Sequence, residues 1–206
     1  MCTLGHRGVL FLDELGEFPS QLLNGLRQPI EDGSVVVARQ AGSVQFPSRV
    51  QLVAATNPCP CGFLGDRLKG CDCSGEVISR YRRRFSGPLL DRMDLRIEVG
   101  RLRASEMAGP PGEASSEVRC RVEAARDRQR ARGVLNRELG RSDLDDLGWS
   151  DAAMARLTAA ADELGLTGRG WGRIRRVSRT IADLAGSDMV GADQMGEAIE
   201  LRGKAR

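Results

Sequence analysis

The amino-acid sequence predicts an α/β fold followed by an all-α part, on three observations. Short apolar runs alternate with a helical pattern through residue 100, a Pro/Gly-rich break follows, and only helical periodicity remains beyond it. In the first part Val9–Leu12, Val35–Val37, Val50–Ala55 and Leu95–Val99 read as strands, the first of them buried on both faces. Between them Leu22, Leu23, Leu26 and Ile30 repeat at helical spacing behind Pro19, where a first-turn proline is tolerated. Strands that alternate with helices predict a parallel sheet. The stretches "SVVVARQ" and "SVQFPSR" pair as an inserted hairpin, with Ala41-Gly42 as its turn. Gly109, Pro110, Pro111 and Gly112 stop regular structure and place a linker at residues 101–116, between a unit of residues 1–100 and a helical unit of residues 117–206. In the latter, helices are expected over residues 115–132, 150–165 and 171–186, with a short final helix ending near Leu201. Trp171, Ile174, Val177, Ile181 and Leu184 form one face of the third, and Arg173, Arg175, Arg176 and Arg179 the other.

Composition excludes more than it selects. No run approaches the roughly 18 apolar residues of a membrane span, and the first residues lack the layout of a signal peptide, so a soluble, cytoplasmic protein without a membrane partner is expected. A net charge of +3 singles out no partner. Only two of the 31 basic residues, Lys69 and Lys204, are lysines.

Chemistry enters with "GVLFLDELGEF", where four apolar residues run straight into Asp13 and Glu14. Ligands of open parallel sheets gather beyond the carboxyl ends of the strands, so such a strand delivers two acids to a cleft. One suits Mg²⁺ held through water beside substrate phosphates, and the other can orient or deprotonate a water. The alternative is an acidic strand end facing solvent. A second run, "VQLVAATNPCPCG", ends at Thr56-Asn57-Pro58 and brings an amide to the same edge. Cys59, Cys61, Cys71 and Cys73 form two Cys-x-Cys pairs among glycines that allow tight turns. In a reducing compartment this pattern points to a metal, with tetrahedral zinc the natural occupant and four reduced thiols the alternative. Cys2 and Cys120 fall outside the cluster.

Together "GVLFLDELGEF", "LRQPIEDGSVVVARQAGSVQFPSRVQLVAATNPCPCGFLGD", "SGPLLDRMDL" and "RIRRVSRTIADLAG" resemble the magnesium-chelatase-like AAA+ ATPases of the ComM/YifB type over nearly the whole chain. The resemblance implies part of a P-loop NTPase core with an inserted hairpin, a helical lid, ATP and Mg²⁺ as cofactors, and a homo-oligomer, a hexameric ring acting on DNA in competence or branch migration. By the same resemblance Asp13 helps hold Mg²⁺, Glu14 polarises the attacking water and Asn57 positions it. Arg92 is the finger that reaches a neighbouring subunit's nucleotide. Arg169 senses nucleotide from the lid, with Arg173 the competing choice. The hairpin, with Arg39 its one charge near the tip, is a candidate contact with a threaded polymer, or else packs on the next subunit. The arginines of "SRYRRRFSG", residues 79–87, are a candidate nucleic-acid contact.

One departure stands against the resemblance. The sequence has no Gly-x-x-x-x-Gly-Lys-Ser/Thr loop, Lys69 lies inside the cysteine loop, and no Ser or Thr follows Lys204. The chain therefore reads as the C-terminal part of a family member and is expected to be inactive as an ATPase by itself. A non-catalytic, zinc-stabilised remnant and a true magnesium-chelatase subunit are the alternatives.

Overall fold

A computed structural model describes residues 2–40, 42–85 and 89–203, with the Arg39 side chain left aside. Ala41 of the hairpin turn, Ser86 and Gly87 of the arginine-rich segment, and Lys204 lie outside the described residues. The chain forms two compact units, Met1–Met93 and Asp94–Arg206.

The first unit is built on two parallel strands, β1 (Val9–Leu12) and β4 (Gln51–Ala54), paired Val9 to Gln51 through Leu12 to Ala54. Between them the chain makes a short 3₁₀ turn at Leu15–Glu17, two helices, α1 (Ser20–Gly25) and α2 (Arg27–Asp32), and an antiparallel hairpin. Pro19 stands at the N-cap of α1, one residue before the helix begins. Gly33, at φ 63°, ends α2 in the left-handed conformation that glycine adopts without a Cβ penalty. The hairpin pairs β2 (Ser34–Arg39) with β3 (Gly42–Pro47), Arg39 opposite Gly42. Helix α3 (Gly75–Arg83) and a 3₁₀ turn at Leu90–Arg92 complete the unit. Alternation along the strands sends Leu10, Leu12, Leu52 and Ala54 into a core with Leu15, Leu23, Leu26, Tyr81, Phe85 and Leu89.

Two strand expectations change. Val9 and Phe11, 61% and 57% exposed, show that β1 is covered on one face only among the described residues. Leu95–Val99 forms no strand; Leu95, Ile97 and Val99 are exposed, because no described strand lies beside them to accept their backbone ladder.

The second unit contains α4 (Ala104–Met107), α5 (Ser115–Ala131), α6 (Arg141–Asp145), α7 (Asp151–Leu164), α8 (Gly168–Leu184) and α9 (Ala192–Arg202). Side-chain caps open two of them: Ser150 accepts from the Ala153 amide and Thr167 from that of Gly170. Ala153, Leu157, Ile174, Met195 and Ala198 form the core between α7, α8 and α9.

The arginine face of α8 is not a solvated one. Arg175 and Arg179 are buried, at 4% and 1% exposure. The Arg179 guanidinium donates to Asp183 and to the carbonyls of Ser187 and Asp188, while Arg132 forks onto Asp183 at 2.7 and 2.5 Å. Asn136 donates to Asp183 at 2.8 Å and to Thr180 at 2.9 Å. Arg175 stacks on Trp149 and donates to Asp145 and the Leu144 carbonyl. Burial alone would raise the Asp183 carboxyl, but hydrogen bonds from Arg132 and Asn136 and the charge of Arg179 outweigh it and hold it below the usual carboxylate range.

Removing that carboxylate strands two guanidinium groups, so Asp183→Ala is expected to cost about 3–5 kcal/mol. Fluorescence-detected urea unfolding reads this unit directly, because both tryptophans, Trp149 and Trp171, lie in it. A carboxyl whose pKa is lower folded than unfolded stabilises above the unfolded value of about 3.9 and loses that effect as pH falls through the folded one. The gap between wild type and Asp183→Ala should therefore be widest above pH ~4 and narrow below it.

Candidate functional site

The β1·β4 register decides what meets at the strand ends. The ladder continues past both strands: Ala55 donates to the Leu12 carbonyl at 2.9 Å and Leu15 to the Ala55 carbonyl at 2.8 Å. Asp13 and Glu14 leave β1 at the edge where Ala55, Thr56 and Asn57 leave β4, and all five are exposed. Glu14 adopts φ 50° and ψ 48°, a left-handed conformation that costs a residue with a Cβ about 1 kcal/mol or more. The Glu14 amide donates to Asp13 Oδ1 at 2.9 Å, which turns the chain sharply into the buried Leu15-Gly16 step.

Helix α3 and its C-cap support this edge through Tyr81, which sequence reasoning did not single out, and Arg84, which it read with its neighbours as a candidate nucleic-acid contact. Tyr81 packs edge-on to Phe85, and its hydroxyl lies 3.1 Å from Thr56 Oγ1. Its ring covers Gly16 so closely that a Cβ there would stand 2.2 Å from Tyr81 Cζ. Arg84 donates to the Gly16 carbonyl at 2.9 Å. Tyr81 is the chain's single tyrosine, set among arginines; that was the signal available.

The four cysteines converge as their spacing predicts. Their sulfurs all lie within 4.8 Å of one another. Cys59 and Cys61 are 3.4 Å apart, and each is 3.6 Å from Cys71. A tetrahedron with Zn–S bonds of about 2.3 Å has edges of about 3.8 Å, so this cage is close to the size zinc requires. The donor set, four soft sulfurs in a glycine-rich turn, fits the same ion. Their protons are unequally held: the Phe63 backbone amide draws the Cys61 thiol down to about 6. The Cys73 amide acts likewise on Cys71, but burial and the neighbouring thiols overcome it and push Cys71 up to about 12; Cys73 is also raised. Of the outlying cysteines, Cys2 packs against the first core and Cys120 is exposed.

The arginines are placed apart from these groups in role. Arg92, its side chain 11% exposed, pairs with Glu31 of α2 within the first unit. In the second unit Arg173 pairs with Asp94 at 2.9 Å, and Arg169 is exposed in the first turn of α8. On α3, Arg82 and Arg83 are exposed, while Arg80 pairs with Glu76. The hairpin leaves Val36, Val44 and Phe46 exposed and apolar.

Two acids and an amide at the carboxyl edge of a parallel pair, followed by a helical unit, define an α/β protein consistent with part of an AAA+ core and its helical domain. The chain belongs to the magnesium-chelatase family: residues 1–107 match the family described as magnesium chelatase, subunit ChlI, and residues 112–202 the ChlI C-terminal family. It is 43% identical over 203 residues to an uncharacterized protein of Mycobacterium tuberculosis, covering 96% of this chain and 40% of that protein. Identity is 41% over 209 residues to competence protein ComM of Haemophilus influenzae, covering 99% of this chain and 40% of the relative. It is 38% over 215 residues to the uncharacterized protein YifB of Escherichia coli, covering 97% and 40%. The chain thus spans about two fifths of the length of these curated relatives.

The close fit over Gly16 and the strained turn at Glu14 predict opposite effects. Gly16→Ala should destabilise the first unit by about 1–3 kcal/mol by overpacking against Tyr81. Glu14→Gly should leave it unchanged or stabilise it by up to ~1 kcal/mol by relieving the left-handed strain. Native-state hydrogen exchange of the β1 amides, compared across the two variants, is the measurement.

Proposed function

We propose that the chain forms the magnesium- and water-handling part of an ATP-hydrolysing ring motor of the magnesium-chelatase-like ComM/YifB type, acting on DNA. The observation that carries this reading is the parallel register that brings Asp13, Glu14 and Asn57 to one strand edge. In it Asp13 holds Mg²⁺ through water, Glu14 takes or orients the proton of the attacking water, and Asn57 fixes that water's direction. Bound Mg·ATP supplies a γ-phosphate whose developing charge needs compensation in the transition state. The sequence holds no Gly-x-x-x-x-Gly-Lys-Ser/Thr loop, so grasping the β- and γ-phosphates falls to groups other than these, and the 206 residues alone turn over no ATP. Arg92 exchanges Glu31 for a neighbouring subunit's nucleotide, which makes a homo-oligomer, a hexameric ring, the working form. Arg169, with Arg173 the alternative, is the nucleotide sensor of the lid. Exposed Arg82 and Arg83 supply sequence-independent phosphate contacts to DNA. Cys59, Cys61, Cys71 and Cys73 would hold one zinc ion as a structural link.

A chimera tests the catalytic roles. Replacing the matching two fifths of Escherichia coli YifB with this chain should give ATP turnover that Glu14→Gln lowers by roughly 100-fold or more and Arg92→Ala by roughly 1,000-fold. Because the finger acts in trans, mixing the two inactive chimeras should restore part of the turnover. Equal turnover by the chimera and its Glu14→Gln form would contradict the reading, and failure of the mixture to recover would contradict the trans role of Arg92.

A further inference from the structure

The cysteine cage sits between the two parts of the first unit that shape the strand-end site. Cys59 follows Asn57 with only Pro58 between them, and it is fully buried. Proline at that point disfavours helical backbone at Asn57 and restricts its freedom, so a displacement of Cys59 is passed on to Asn57. At the other end, Cys73 immediately precedes Ser74, whose hydroxyl caps α3 by accepting from the Val77 amide at 3.4 Å. Helix α3 in turn presents Tyr81 to Thr56 and Arg84 to the Gly16 carbonyl. The residue after Cys61 also approaches the amide itself: a Cβ placed on Gly62 would lie 3.8 Å from Asn57 Oδ1.

The loop that connects these points has no regular structure of its own. Residues 60–73 contribute nothing to the buried core of the unit and form no helix or strand. Local bonds shape it: Asp66 caps the amides of Leu68 and Lys69, Gly62 donates to the Cys59 carbonyl, and Lys69 lies 4.0 Å over the Phe63 ring. These bonds run within the loop and give it shape without tying it to the strands. The four sulfurs are what join its two ends, and thiol-to-thiol contacts are weak donors and acceptors. A tetrahedral ion bonded to all four replaces them with a rigid link.

We propose that the four-cysteine cage, loaded with one zinc ion, is a clip that positions Asn57 and the first turn of α3, so that the strand-end site is assembled only in the metal-loaded chain. The four cysteines are positioning residues in this account: they act on the site through Asn57 and through the Tyr81–Thr56 contact. The proposal rests on the reading that zinc fills the cage and that Asn57 works at the strand edge, and it adds that the first controls the second.

The whole chain carries its own probe, since Tyr81 is the only tyrosine. Labelled with 3-fluorotyrosine and ¹⁵N, purified free of metal under reducing conditions and titrated with Zn²⁺, it should take up one equivalent. Over that equivalent the single ¹⁹F line and the Asn57 side-chain amide should move together, while the indole signals of Trp149 and Trp171 in the second unit stay in place. Cys73→His keeps a zinc ligand and should preserve both uptake and shift. Cys73→Ser should lose the coupled shift, and should it fail to fold, the titration of the unmodified chain still decides. Uptake of one zinc with neither the ¹⁹F line nor the Asn57 amide moving would overturn the clip and leave the zinc site standing. Absence of zinc uptake would overturn the zinc reading and the clip together.

Discussion

The pairing of β1 with β4 is the interaction on which the rest of the first unit depends. Parallel strands share their direction, so both chains leave the sheet at one edge, and the register from Val9–Gln51 to Leu12–Ala54 fixes which residues arrive there together. A slip of one residue would turn Leu10 and Leu12 away from the core and carry Asp13 out of line with Thr56-Asn57. The same apolar residues that bury one face therefore set the distance between an acid pair and an amide. The extra bonds at Ala55 and Leu15 extend the register just far enough to govern the exposed groups. Strain at Glu14 follows from it, because the chain must leave the strand and enter the buried turn at Leu15 within two residues.

The second unit is organised around a different constraint. Its α8 carries too many arginines for a surface helix alone, and two of them are used inside. Arg179 reaches a carboxylate and two carbonyls at once, and Arg175 spans a carboxylate, a carbonyl and an indole face. A lysine ammonium, a compact point charge without a planar fork, would leave part of each set unsatisfied. At these two positions that gives the chain's preference for arginine a physical reason. With one partner removed the network becomes a buried, uncompensated charge, so it ties the segment of Arg132 and Asn136 to α8.

Much of this was legible in the sequence, for identifiable reasons. Asp13, Glu14 and Asn57 could be placed at one edge because each ends an apolar run without a turn residue, and the cysteine cage because spacing and glycines jointly limit what four thiols can do. The hairpin was legible from two pairable runs, "SVVVARQ" and "SVQFPSR", on either side of Ala41-Gly42. The failures are equally specific. Leu95–Val99 has the apolar content of a strand, but a strand needs a neighbour, and no periodicity reports whether one is present. One face of β1 stays open among the described residues for the same reason. Arg179 could be placed on one face of a helix, but its burial against Asp183 could not be read locally, since it is set with Arg132 and Asn136 some fifty residues earlier. Tyr81 over Gly16 is a long-range fit that leaves no local pattern.

These pieces make one account, in which a short parallel ladder gathers the acids and the amide, α3 backs them, and the proposed clip of four cysteines joins the two. The proposed reading has Asp13 hold an ion at the edge where Asn57 directs the water beside it, so both groups should lie close to that ion. Paramagnetic broadening by Mn²⁺, which replaces Mg²⁺ among oxygen ligands, tests this most directly in the ¹⁵N-labelled chain. The account predicts that the amides of Asp13 and Glu14 and the side-chain amide of Asn57 broaden together at the same Mn²⁺ concentration, and that Asp13→Asn removes all of these effects at once. Broadening at Asp13 and Glu14 while the Asn57 amide stays sharp would contradict it.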